Sequence, residues 1–118
     1  MPGPRFKQIV DDAKTRVREV TTQEAAAQQA KGAVLIDVRE ADDFAAAHAA
    51  GATHLSKGVI ELKIEDAVPD TSTPIITYCG GGSRSALAAD NLQKMGYTNV
   101  ASMTGGFKAW REAGLPTE

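Results

Sequence analysis

Pro74-Ile75-Ile76-Thr77-Tyr78-Cys79-Gly80-Gly81-Gly82-Ser83-Arg84-Ser85 holds the only cysteine of the chain between an apolar, β-branched run and a stretch with helical periodicity. The run 74–78, bounded by turn residues, reads as a buried strand. From 86 to 95, Leu87, Ala88, Leu92 and Met95 fall on one face of a helix. The thiol is thereby placed at a strand-to-helix turn. Glycines 80–82 leave backbone N–H groups unscreened by side chains and permit φ values that other residues avoid. The orphan N–H groups of the following helix, with the positive end of its dipole, point into the same space. Thiolates are stabilised at helix N-termini and beside arginine, so Cys79 is expected to ionise more readily than a free cysteine. The turn reads as an anion cradle with a nucleophile at its base.

Outward from this turn, strands and helices alternate. Upstream, Ala33-Val34-Leu35-Ile36-Asp37-Val38 predicts a second buried strand, with Asp37 and Arg39 at its C-terminal end. Ligands of open parallel sheets bind outside the carboxyl ends of the strands, the end where Cys79 also lies. Residues 41–49 read as a helix carrying Phe44, residues 52–55 as a short strand, and residues 57–65 as another helix closed by the polar run 69–74. Val20 opens a short extended segment. Thr21 or Thr22, with Glu24 following, predicts an N-cap for a helix that Gly32 ends. Downstream, 97–103 supplies a further strand, and Gly105-Gly106 begins a last helix with Phe107 and Trp110. This alternation predicts an α/β domain with a mainly parallel sheet covered by helices on both faces. Phe6, Ile9, Val10, Ala13 and Val17 recur at spacings of three and four, an amphipathic helix whose stripe packs on the domain or meets a second subunit. The expected organisation is a helical extension over residues 1–19 and one domain over 20–118.

The bulk properties narrow the function. A chain of 118 residues with 42% hydrophobic content suits a single core. A net charge of −2 and a pI near 5.7 give no electrostatic footprint for nucleic acid or an acidic membrane. One cysteine forms no internal disulfide, and no stretch approaches the ~18 apolar residues of a membrane helix. The N-terminal residues are mixed in charge, unlike a secretory leader, so the expected location is the reducing cytoplasm. His48 and His54 are too few for a zinc site, and His48 is expected to hydrogen-bond backbone. Gly105-Gly106 lacks a full dinucleotide fingerprint and reads as a tight turn.

Several motifs in order resemble the rhodanese family of sulfurtransferases. Leu35-Ile36-Asp37-Val38-Arg39-Glu40 is similar to its DVRE motif, and His48-Ala49-Ala50-Gly51-Ala52 to its HxxGA motif. Tyr78-Cys79 through Arg84-Ser85 resembles its active-site loop, and Gly96-Tyr97, Asn99-Val100 and Gly105-Gly106 with Trp110 resemble its C-terminal series. The likeness spans residues 20–116. It implies a rhodanese-like, five-stranded parallel sheet and a thiosulfate sulfurtransferase whose Cys79 carries sulfur as a persulfide.

On that reading the Cys79 thiolate attacks the outer sulfur of thiosulfate or a related donor, and cyanide or a thiol later takes the sulfur. The amides of Gly80, Gly81, Gly82, Ser83, Arg84 and Ser85 hold the donor's oxygens and the persulfide charge, Arg84 adds a charged fork, and the two serine hydroxyls donate further bonds. Asp37, Arg39 and His48 are expected one layer behind, fixing neighbouring loops. No metal or organic cofactor is required. The expected partners are a small-molecule sulfur donor and acceptor, or a protein of a sulfur relay, with neither nucleic acid nor membrane. One rival is a module that relays persulfide sulfur between proteins with little thiosulfate turnover. Another is a phosphatase or arsenate reductase, whose loop the resemblance implies to be longer; here four residues separate Cys79 from Arg84. A third is a noncatalytic interaction domain, which has no need of the nucleophile.

Overall fold

Short β-branched runs alternating with helix formers produce, in a computed structural model describing residues 2–118, eleven elements in chain order. These are α1 (Pro4–Lys14), β1 (Arg18–Val20), α2 (Thr22–Ala30), β2 (Val34–Asp37), α3 (Ala41–Ala46), β3 (Thr53–His54), α4 (Ile60–Ala67), β4 (Ile75–Tyr78), α5 (Ser83–Lys94), β5 (Val100–Met103) and α6 (Gly106–Glu112). The strands form one sheet in the order β1-β5-β4-β2-β3, and every pairing is parallel. This is the five-stranded parallel α/β architecture expected from the sequence.

Strand side chains alternate between two apolar layers. Ile36, Val38, Ile75 and Cys79 face one layer with Ile60 and Ile64 of α4 and Ala88, Ala89 and Leu92 of α5. Leu35, Ile76 and Tyr78 face the other with Ala25 of α2 and Phe107 and Trp110 of α6. Burial on both faces accounts for the continuous apolar runs of β2 and β4. β4 is the middle strand and is buried along its whole length. The chain winds outward from β2 to β3, then resumes at β4 on the other side of β2 and continues to β5. The turn after β4 therefore leaves the sheet at the reversal of winding, where such sheets open a crevice.

Helix boundaries follow local chemistry where it is strong. Thr21 caps α2 in a reciprocal capping box: its hydroxyl accepts from the Glu24 N–H at 3.1 Å, and its own N–H donates to the Glu24 carboxylate at 2.8 Å. Long-range contacts override it elsewhere. α3 ends at Ala46 rather than 49, because the following residues are drawn into extended pairing with the C-terminal tail: His48 exchanges backbone hydrogen bonds with Glu118, and the Ala50 N–H donates to Pro116 O. α4 starts at Ile60 rather than 57, since the Lys57 N–H is held by Val38 O at the end of β2. Among the described residues, no helix is long and apolar enough to cross a membrane.

α1 lies on α5 and buries Val10 and Ala13. Just beyond it, Arg16 forks onto Asp90 of α5 at 3.0 and 2.8 Å.

Candidate active site

The last residue of β4 hands the chain to Cys79, whose side chain falls on the α5 side of the sheet by strand alternation. Cys79 is 1% exposed. Burial alone would make its sulfur inert, but the loop turns back over it. The Gly82 N–H donates to Sγ at 3.1 Å and the Ser85 N–H at 3.4 Å, with Ser85 Oγ 3.5 Å away. Gly82 is the N-cap of α5 with φ of +107°, a left-handed conformation that aims its N–H backward at the sulfur. Burial pushes the Cys79 thiol up; hydrogen bonding from the Ser85 hydroxyl and N–H, and from the Gly82 and Gly81 N–H groups, outweighs it and leaves the thiol below its ordinary value. The sequence-expected nucleophile and its amide cradle thus come together.

α5 begins at Ser83, three residues earlier than its periodicity predicts, so Ser83, Arg84 and Ser85 form its first turn. First-turn N–H groups have no intrahelical carbonyl to bind and remain available to a ligand. Ser83 and Arg84 are half-buried at the rim, and Gly81 is exposed. The Arg84 guanidinium folds over Gly80, one of its nitrogens lying 3.6 Å from where a Cβ would stand. A cavity of about 390 Å³ opens beside Ser83, between it and Phe6, Lys7, Val10 and Lys14 of α1. Cys79 does not line it.

The N-terminus of α6 supports the loop from the far side. The Phe107 N–H donates to Cys79 O at 2.7 Å and the Lys108 N–H to Gly80 O at 3.3 Å. This contact explains Gly106: a Cβ there would lie 2.6 Å from the carbonyl carbon and oxygen of Gly80, and φ is +57°. The paired glycines form a seat for the loop backbone.

Asp37 and Arg39 form a buried pair, with the Arg39 Nε and one terminal nitrogen donating to the Asp37 carboxylate at 2.8–3.1 Å. They lie on the face away from Sγ. Arg39 stacks over the Phe107 ring at 4.3 Å and donates to Ala47 O at 2.7 Å, so the pair braces α6 and the segment after α3. His48 stacks on Phe44 at 3.7 Å, with its Nδ1 2.8 Å from Phe44 O, and does not reach the loop.

Two hydroxyls of the site escaped the sequence reading. Thr77 donates to Ser85 O at 2.9 Å, and Ser102 on β5 lies 2.8 Å from Ser85 Oγ. Both are fully buried. Their signal was available: a polar residue at an inward position of an otherwise apolar strand needs a partner.

Residues 21–113 match the family profile of the rhodanese-like domain. The chain is 38% identical over 94 residues to the thiosulfate sulfurtransferase GlpE of Pseudomonas entomophila, covering 80% of this chain and 84% of that protein. It is 40% identical over 101 residues to GlpE of Haemophilus influenzae, covering 86% and 94%. A solved structure from Rhodopseudomonas palustris, described as a protein of unknown function and possible tyrosine phosphatase, superposes with a TM-score of 0.89 at 32% identity, covering 100% of this chain and 99% of that one.

Proposed function

The chain belongs to the rhodanese family, and from that premise we propose that it is a thiosulfate sulfurtransferase working through a persulfide on Cys79. The observation that carries this reading is the convergence of the Gly82 and Ser85 N–H groups on one buried sulfur. Donors fixed in place before reaction need no reorganisation when charge arrives, and each is worth on the order of 3 kcal/mol to a developing anion.

In the first step the Cys79 thiolate attacks the outer sulfur of thiosulfate. A new S–S bond forms at Sγ, the old one breaks, and sulfite leaves with the bonding electron pair. The first-turn N–H groups of Ser83 and Arg84, with those of Gly80 and Gly81, hold the sulfonate oxygens and then the terminal persulfide sulfur. Arg84 offers a bidentate fork to the departing anion. In the second step cyanide or a thiol attacks the terminal sulfur and returns Cys79 as thiolate. Splitting the transfer in two lets each half run through an easier displacement. Asp37, Arg39 and His48 act at a distance by holding α6 and the segment after α3 against the loop. A reducing cytoplasm suits a lone reactive thiol.

Mass spectrometry of the intact protein after thiosulfate treatment is the test. The expected product is a one-sulfur adduct that is absent in Cys79→Ser and is released as thiocyanate by cyanide. Lack of any adduct on the folded protein would overturn the reading.

A further inference from the structure

Behind the sulfur runs a line of three buried groups: Cys79 Sγ, Ser85 Oγ 3.5 Å from it, and Ser102 Oγ 2.8 Å beyond. All three residues are 1% exposed or less. Ser102 reaches this place because β5 pairs β4 in the register Thr77↔Ser102, which sets its side chain on the same face as Thr77 and Cys79. Among the described residues, Ser85 is the only hydrogen-bond partner of the Ser102 hydroxyl.

Three groups in line make two links, so the number of hydrogens decides whether the line is satisfied. With Cys79 as a thiol there are three hydrogens for two links, and one buried donor points at no acceptor. With Cys79 as thiolate, or with Sγ bonded to a second sulfur, there are two hydrogens for two links. Ser102 then donates to Ser85, and Ser85 donates to sulfur. A buried donor left unmatched is costly, whereas a matched one is modestly favourable.

We propose that Ser102 is a positioning residue for sulfur transfer: by donating to Ser85 Oγ, it fixes the Ser85 hydrogen toward Sγ and so favours the unprotonated sulfur. Ser102 touches no substrate and acts only through Ser85. The charged side chains around this end of the sheet form no hydrogen bond to any of the three groups. They are Arg84 on α5, the Asp37–Arg39 pair at the end of β2 and just beyond it, Lys108 on α6, and Glu19 on β1, which lies beside Ser102 in register and is paired with Lys14. The hydroxyl line is therefore the direct contact through which Ser102 can bias the sulfur.

The proposal rests on Cys79 being the nucleophile, and it is tested by a readout that needs no turnover: the rate of Cys79 alkylation by iodoacetamide against pH in the full chain. Ser102→Ala is expected to raise the alkylation midpoint by about half a unit, about three-fold less thiolate at neutral pH, while Ser102→Thr restores it. In a Ser85→Ala background the same Ser102→Ala change is expected to do nothing further, since the link is already gone. If Ser102→Ala fails to fold, Ser102→Val, which has the shape of the Thr variant without its hydroxyl, is read in the same way. An unmoved midpoint, or an equal shift with and without Ser85, would overturn the proposal and leave Ser102 as packing. A wild-type midpoint near the ordinary ~8.5 would instead count against the proposed function, independently of the variants.

Discussion

A buried sulfur becomes useful only when its charge is met by donors, and the donors of Cys79 are unevenly distributed. Two N–H groups and the Ser85 hydroxyl reach Sγ itself, whereas Arg84 sits over Gly80 at the rim and forms no hydrogen bond to Sγ. The sequence places Arg84 beside the nucleophile and invites the inference that it lowers the thiol. Geometry separates the two roles. Ser85→Ala should raise the thiol midpoint and lower kcat by about tenfold or more, as expected for loss of a donor aimed at the reacting atom. Arg84→Ala should leave the alkylation profile almost unmoved and raise KM for thiosulfate, because on the proposed function what it loses is a grip on the sulfonate. Steady-state kinetics beside the alkylation profile separates them, and an Arg84→Ala midpoint as high as that of Ser85→Ala would contradict this division. The sequence made Cys79 and Ser85 legible because both belong to one contiguous turn. It hid Thr77 and Ser102 because their partner is fixed by the register of β4 on β5, which no local pattern encodes.

At the scale of elements, the loop is held between two helices, and each contact can be broken singly. Gly106→Ala forces a Cβ against the Gly80 carbonyl at a residue with positive φ. The left-handed conformation alone costs about 1–2 kcal/mol, and displaced backbone adds to it, so a loss of about 3 kcal/mol in chemical denaturation is expected together with loss of activity. Wild-type stability in that variant would show that the loop yields freely. α1 is fastened differently. Hydrogen bonding from Arg16 holds the Asp90 carboxylate below its usual range, so this contact stabilises the fold above the ordinary carboxylate value and is lost as pH falls through the lower, folded one. Hydrogen exchange across α1 should therefore stay slow at neutral pH and through mild acid, then quicken only below about pH 4, and Asp90→Asn should make it fast throughout. Exchange that quickens above that range would point to a different fastening. Helix existence was legible from apolar spacing and from an N-cap at Thr21 or Thr22, which the structure settles at Thr21, but the early end of α3 was not, since it is set by the C-terminal tail pairing across residues 48–50.

At the scale of the whole molecule, the architecture fixes where chemistry happens without fixing which chemistry. The continuous apolar runs of β2 and β4 and the regular alternation of elements made the parallel sheet legible, and with it the crevice at the carboxyl end of β4. The order β1-β5-β4-β2-β3 was not legible, because apolar runs say which strands are buried and nothing about which strands are neighbours. A solved structure carrying the same fold along the entire chain is described as a possible tyrosine phosphatase, so discrimination has to come from the loop. Phosphoryl transfer asks a cradle to surround three equatorial oxygens around the attacked phosphorus, with a cation placed to meet their charge. In this chain the Gly82 and Ser85 N–H groups are already committed to Sγ at 3.1 and 3.4 Å, and only four residues separate Cys79 from Arg84. The donors left for a ligand are those of a shorter ring, and the proposed function takes them for the sulfonate of a sulfur donor. Hydrolysis of a generic aryl phosphate is accordingly expected to stay at the level of Cys79→Ser, under conditions where thiosulfate loads the wild type with sulfur. Turnover of the phosphate that vanishes in Cys79→Ser would show that the loop opens far enough to take a tetrahedral oxyanion, and would move this chain to the phosphatase side of the fold.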